Sequence, residues 1–113
     1  MLKPSDITAL VEYLGSLDGS TVDYPFTKTL AVYSVSDTPF AYLESGRQIV
    51  ELSVRLDHQL SKLLRQKYEE VANGRKLDSR QWSTIVLSGQ LDLEELKALI
   101  YHSYQLSNAS SLT

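Results

Sequence analysis

The stretch that decides the fold is Leu30-Ala-Val-Tyr-Ser-Val-Ser-Asp-Thr-Pro-Phe-Ala-Tyr-Leu-Glu-Ser-Gly-Arg-Gln-Ile-Val-Glu-Leu-Ser-Val-Arg-Leu56. Leu30–Val35 is β-rich, Asp37-Thr-Pro39 is a turn signal, and Phe40–Glu44 reads as a second strand. Ser45-Gly46-Arg47 then marks a second turn. From Gln48 to Leu56 the residues alternate. Val50, Leu52, Val54 and Leu56 share one side, and Ile49, Glu51, Ser53 and Arg55 share the other. Side chains alternate across a strand, so the first set is the core face. Three strands joined by short turns predict an antiparallel meander.

On both flanks the period changes to that of a helix. Ile7, Leu10, Val11, Leu14 and Leu17 follow the spacing of one helix face, with Pro4 early and Ser5 or Asp6 placed to accept from exposed N–H groups; Gly15 and Gly19 stop the element. Ser20–Phe26 contains a turn-like Asp-Tyr-Pro-Phe. Past the meander, Asp57 is a good N-cap for a second helix with Leu60, Leu63, Leu64, Tyr68 and Val71 as its apolar stripe and Glu69 and Glu70 solvated. Asn73-Gly74 suits its C-cap. A polar loop over 75–81 leads to a strand from Trp82 to Leu87. A third helix starts at Asp92, with Glu95 completing a capping box and Leu93, Leu96, Leu99, Ile100 and Tyr104 facing inward. The expectation is an α+β, two-layer fold. It has an antiparallel sheet of about five strands, helices packed on one face, and the order α-β-β-β-β-α-β-α.

A chain of 113 residues, 42% hydrophobic and 22% charged, is expected to be a single globular domain over 1–107 with a frayed tail over 108–113. The absence of cysteine excludes disulfides, thiolate zinc sites, iron–sulfur clusters and a cysteine nucleophile. The N-terminal residues lack a signal-peptide core, and no apolar run approaches the roughly 18 residues of a membrane span. A cytoplasmic location with no membrane partner is the expectation.

No catalytic constellation emerges. The five glycines are dispersed among turns and caps rather than gathered in a phosphate loop. Only His58 and His102 are available as imidazoles, and neither spacing implies a ligand set. The expectation is no enzyme, no catalytic or metal-binding residue and no cofactor. The formal net charge of −3 is unevenly spread: residues 1–54 carry −4, 55–80 carry +3 and 81–113 carry −2. The basic segment contains Arg75, Lys76 and Arg80 beside the sole tryptophan, Trp82. A basic loop next to an aromatic can hold phosphates and stack on bases. The alternative is a solvated loop with Trp82 buried at the head of a strand.

Three stretches resemble the YjbR/MmcQ family of small bacterial proteins. They are Leu17-Asp-Gly-Ser-Thr-Val-Asp-Tyr-Pro-Phe26, Gly74-Arg-Lys-Leu-Asp-Ser-Arg-Gln-Trp-Ser-Thr-Ile-Val-Leu87, and Leu96-Lys-Ala-Leu-Ile-Tyr-His-Ser-Tyr-Gln-Leu106. The resemblance implies a compact α+β fold similar to frataxin-like or secretion-chaperone-like architectures. It also implies DNA binding through two β-hairpin wings, which map here to Asp37–Pro39 and Ser45–Arg47, and no enzymatic activity. The nucleic-acid contacts would then be Arg47, Arg75, Lys76, Arg80 and Trp82. This chain departs from the family pattern at Asp18, Lys76, Asp78, Ser79 and Gln81, and Asp78 subtracts from a phosphate-binding surface. The competing reading is a protein- or peptide-binding module using Tyr33, Tyr42 and nearby apolar residues on an open sheet face.

Overall fold

A computed structural model describes residues 2–73 and 81–111. The elements in chain order are α1 (Pro4–Ser16), β1 (Ser20–Asp23), β2 (Leu30–Val35), β3 (Thr38–Glu44), β4 (Glu51–Arg55), α2 (His58–Lys67), β5 (Val71–Asn73), β6 (Trp82–Val86) and α3 (Leu93–Ser111). The strands form one antiparallel sheet in the order β1-β2-β3-β4-β6-β5. The α+β class and the meander are as the sequence predicts, but among the described residues the sheet has six strands rather than about five.

The additional strand is β5, where the sequence pattern extends the second helix to Val71. Leu60, Leu64 and Val71 keep helical spacing by coincidence, and α2 ends at Lys67 because Tyr68 turns extended (φ −125, ψ 124). Val71 then pairs with Ile85 and is buried among the core side chains. Leu63, expected in the stripe, is 59% exposed. Glu70, expected in solvent, is buried. Its carboxylate accepts from the Ser88 amide (3.0 Å), the Ser88 hydroxyl (2.7 Å) and the Leu91 amide (2.6 Å), so three donors compensate its removal from water.

The three helices lie on one side of the sheet. Ala31, Tyr33, Ala41, Leu43, Leu52, Val54 and Ile85 face that side and meet Leu10 and Leu14 of α1, Leu64 of α2 and Leu96, Leu99 and Ile100 of α3. The β2–β3 pairing shifts register between Tyr33 and Ser34, so Phe40 is an extra residue. Phe40 and its neighbour Ala41 are consequently both fully buried, with Phe40 edge-on to Tyr104.

Two serines let α3 approach closely. Ser103, buried one turn beyond Leu99 and Ile100, donates to the Phe40 carbonyl and accepts from the Arg55 amide at 2.7 Å; Ser107 donates to the Pro39 carbonyl at 3.1 Å. Pro39 pairs with Ser34 on β2 but lies beyond the residues of β4, so no ladder donor is missed. The helix starts follow the predicted chemistry. Asp57 caps α2 by accepting from the Leu60 amide (2.9 Å). Asp92 accepts from the Glu95 amide (2.8 Å) at the start of α3, and Asp6 accepts from the Lys3 amide (2.8 Å) at α1.

Candidate functional site

The residues expected to hold nucleic acid divide into three groups. Arg75, Lys76 and Arg80 lie outside the described residues. Trp82 opens β6 and is only 6% exposed, which matches the alternative of a tryptophan buried at the head of a strand. Arg47 is exposed, but its Nε lies 3.8 Å from a carboxylate oxygen of Glu51. The Arg47 side chain is at the surface while the Glu51 side chain is largely buried.

The surroundings of Trp82 are polar and aromatic. By register, Tyr42, Ser53, Arg55, Trp82 and Thr84 all occupy the sheet face opposite the helices. Tyr42 meets Trp82 edge-on at 5.1 Å, and the Arg55 guanidinium lies over the indole at 5.2 Å. Ser53 and Thr84 share a hydrogen bond of 2.8 Å. The Arg55 Nε is buried and has no hydrogen-bond partner among the described residues. Burial pushes the Tyr42 hydroxyl pKa up, and the nearby Arg55 charge opposes this. The strand alternation places Arg55 on this face, but the sequence gives no sign that it stacks on a tryptophan 27 positions away.

Tyr33 does not join this group. It faces the helices and is buried against Phe40 at 6.4 Å, so the pairing of Tyr33 with Tyr42 on an open face is incorrect. Odd and even positions of β2 point to opposite sides, and the register puts Val32, not Tyr33, beside Tyr42.

The two expected wings are short turns with little positive charge. The β2–β3 turn is Ser36-Asp37, both at positive φ (50 and 65), as in a type I′ hairpin, and Thr38 already belongs to β3. Its one charge is Asp37. In the turn after β3, Glu44 accepts from the Thr29 hydroxyl (2.7 Å) and the Gly46 amide (2.8 Å). These bonds, the hydroxyl first, hold the Glu44 carboxyl below its usual pKa, with help from Arg47. A Cβ at Gly46 would fall 2.6 Å from the Thr29 hydroxyl, so only glycine fits.

An exposed apolar group that the sequence disguises as a turn lies at the opposite end of the strand order. Val22, Tyr24 and Phe26 are 50%, 52% and 70% exposed. Val22 belongs to β1, which among the described residues pairs only with β2 and so forms a sheet edge. Alternate residues of an edge strand direct their N–H and C=O groups outward, where they template another strand. β1 contains neither lysine nor proline, residues that commonly blunt such edges.

Elsewhere, a shallow groove of about 400 Å³ is lined by Leu2, Pro4, Ile7, Ile49, Val50 and Leu87, with Lys3 and Gln48 as its polar members. Among the described residues no three His, Asp or Glu side chains gather to hold a metal ion, and no helix is long and apolar enough to cross a membrane. His58 is exposed in the first turn of α2, and His102 lies 3.2 Å from Asp57, tying α3 to the cap of α2.

This architecture recurs in known proteins. The crystal structure of Deinococcus radiodurans protein DR2400, of domain family DUF419, matches with a TM-score of 0.89 at 25% identity, over 95% of this chain and 81% of that one. A crystal structure of a Pseudomonas syringae protein shares the fold with a TM-score of 0.76 at 22% identity, over 88% of this chain and 97% of that one. Among sequences, "Uncharacterized protein YjbR" of Escherichia coli K12 is 27% identical over 99 residues, which is 88% of this chain and 84% of the relative. The YjbR family model matches residues 15–106, which contain the whole sheet and most of α3, and the chain belongs to the YjbR family.

Proposed function

We propose that this YjbR-family chain is a non-enzymatic binding module that accepts an extended segment of a partner protein along the β1 edge. The observation that carries this reading is the exposure of Val22, Tyr24 and Phe26 within five residues at a strand whose outer edge is unpaired among the described residues. Addition of a strand would satisfy the outward backbone groups of β1, while alternate apolar side chains supply contact area. The site differs from the open sheet face expected from sequence, because Tyr42 is already engaged with Trp82.

Selection from a library of extended heptapeptides tests the reading. Binders should lose about tenfold or more in affinity for a Phe26→Ser variant. They should retain it for Leu63→Ser, which removes another exposed apolar side chain, from α2. An absence of binders, or equal loss in both variants, would contradict the proposal.

DNA binding through Arg47, Arg75, Lys76, Arg80 and Trp82 is the second reading. It draws support from the +3 balance of residues 55–80, a segment whose first residue, Arg55, lies over Trp82. It predicts association that weakens steeply as salt rises. Fluorescence anisotropy of a labelled duplex at low salt should rise by tens of micromolar protein if it holds, and Arg75→Ala with Lys76→Ala should reduce the salt slope. A flat titration removes it.

A further inference from the structure

We infer that the segment received by β1 alternates apolar with basic residues; this rests on the edge-strand reading above and adds the charge of the partner. The ground is electrostatic complementarity. Asp18, Asp23 and Asp37 are all exposed around β1, and none has an ion-pair partner among the described residues.

Their placement follows from the fold. Asp18 precedes the strand, and its carbonyl is held by the Tyr104 hydroxyl. Asp23 ends the strand, with its carboxylate accepting from the Tyr24 amide at 2.8 Å. Asp37 sits in the β2–β3 turn, two residues past Val35, and Val35 is paired with Ser20 at the start of β1. Carboxylates therefore stand at both ends of the exposed edge. Lys28 is the sole cation between residues 17 and 37.

An incoming strand places its side chains alternately to each face of the sheet. Its apolar residues can cover Val22 and reach Tyr24 and Phe26, while lysines or arginines between them meet the aspartates. Two copies of this chain pairing β1 to β1 would instead bring two sets of aspartates together, which disfavours a homotypic occupant. A nucleic-acid strand is repelled by the same charges.

Two fluorescein-labelled heptapeptides test the inference, one alternating lysine with isoleucine and the other glutamate with isoleucine. Affinities are measured against the full chain at low and at high salt. The basic peptide should bind at least tenfold more tightly at low salt. Combining Asp18→Asn, Asp23→Asn and Asp37→Asn should remove about tenfold of its affinity there and little at high salt. Asparagine accepts the positive φ of position 37, and an unchanged melting temperature verifies that the variant is folded. Equal binding of both peptides overturns the charge inference and leaves the edge-strand reading standing. Binding of neither overturns both. Dimerisation that protects the amides of residues 20–23 from exchange overturns the inference in favour of a second copy.

Discussion

The two ends of the sheet are built differently. At the β5–β6 end, Val71, Trp82 and Ile85 are buried, α2 packs over the strands, and the Glu70 carboxylate fastens the 88–91 loop through three hydrogen bonds. Tyr42 meets Trp82 edge-on and the Arg55 guanidinium lies over its ring. At the β1 end, every residue from Thr21 to Thr29 is exposed, including three large apolar side chains. The aromatic residues of one end hold the sheet together, while those of the other face solvent. Large apolar residues left exposed as a group, rather than singly, mark interaction surfaces. For this reason the aromatic near the basic segment is the weaker pointer to function and the aromatics near the acidic edge are the stronger one.

Substitutions should separate the two ends. The largest effect is expected from Trp82→Ala, which removes a buried indole and both of its ring contacts; chemical denaturation should show a loss of about 3–5 kcal/mol. Glu70→Ala should cost about 2–3 kcal/mol in the same assay, because the Ser88 and Leu91 amides lose their acceptor inside the protein. Loss of under about 0.5 kcal/mol in either would show that the β5–β6 end is not fastened as described.

Near the open edge the expected changes are smaller and include a gain. Replacing Ser36-Asp37 by Asn-Gly, the pair best suited to two positive φ values, should raise stability by about 1 kcal/mol, seen as a higher melting temperature. The smallest effect concerns Glu44. Its carboxyl is held low, so the stabilisation it gives is present above the unfolded-state pKa and is lost as pH falls through the lower folded value. Thr29→Val removes the largest cause and should move the Glu44 titration upward in a carboxyl NMR experiment. An unmoved titration would assign the shift to Gly46 and Arg47 instead.

Much of the fold is legible in the sequence because period and capping agree there. The alternation of Gln48–Leu56, the Asp57 and Asp92 caps and the stripe of α3 all lead to the observed elements. β5 is hidden because Val71 keeps helical spacing with Leu60 and Leu64 although the chain has left the helix. β1 is anticipated only as one of the four strands before α2, because the four residues of an exposed edge strand, Ser-Thr-Val-Asp, have no buried face to impose an alternation that would mark its bounds. The site is less legible for a related reason. Sequence reveals that Tyr24 and Phe26 are apolar and that Trp82 is aromatic, but exposure depends on strand order. β1 at the edge and β6 inside give the same residue class opposite roles.

The most direct test is ¹⁵N chemical-shift mapping of the chain with the lysine–isoleucine heptapeptide, repeated with a copy N-methylated at alternate residues so that it cannot complete a ladder of hydrogen bonds. The account predicts saturable shifts concentrated in Ser20–Phe26, absence of shifts around Trp82, and no binding of the methylated copy. Shifts centred on Arg55 and Trp82, or equal binding of the methylated peptide, would contradict it.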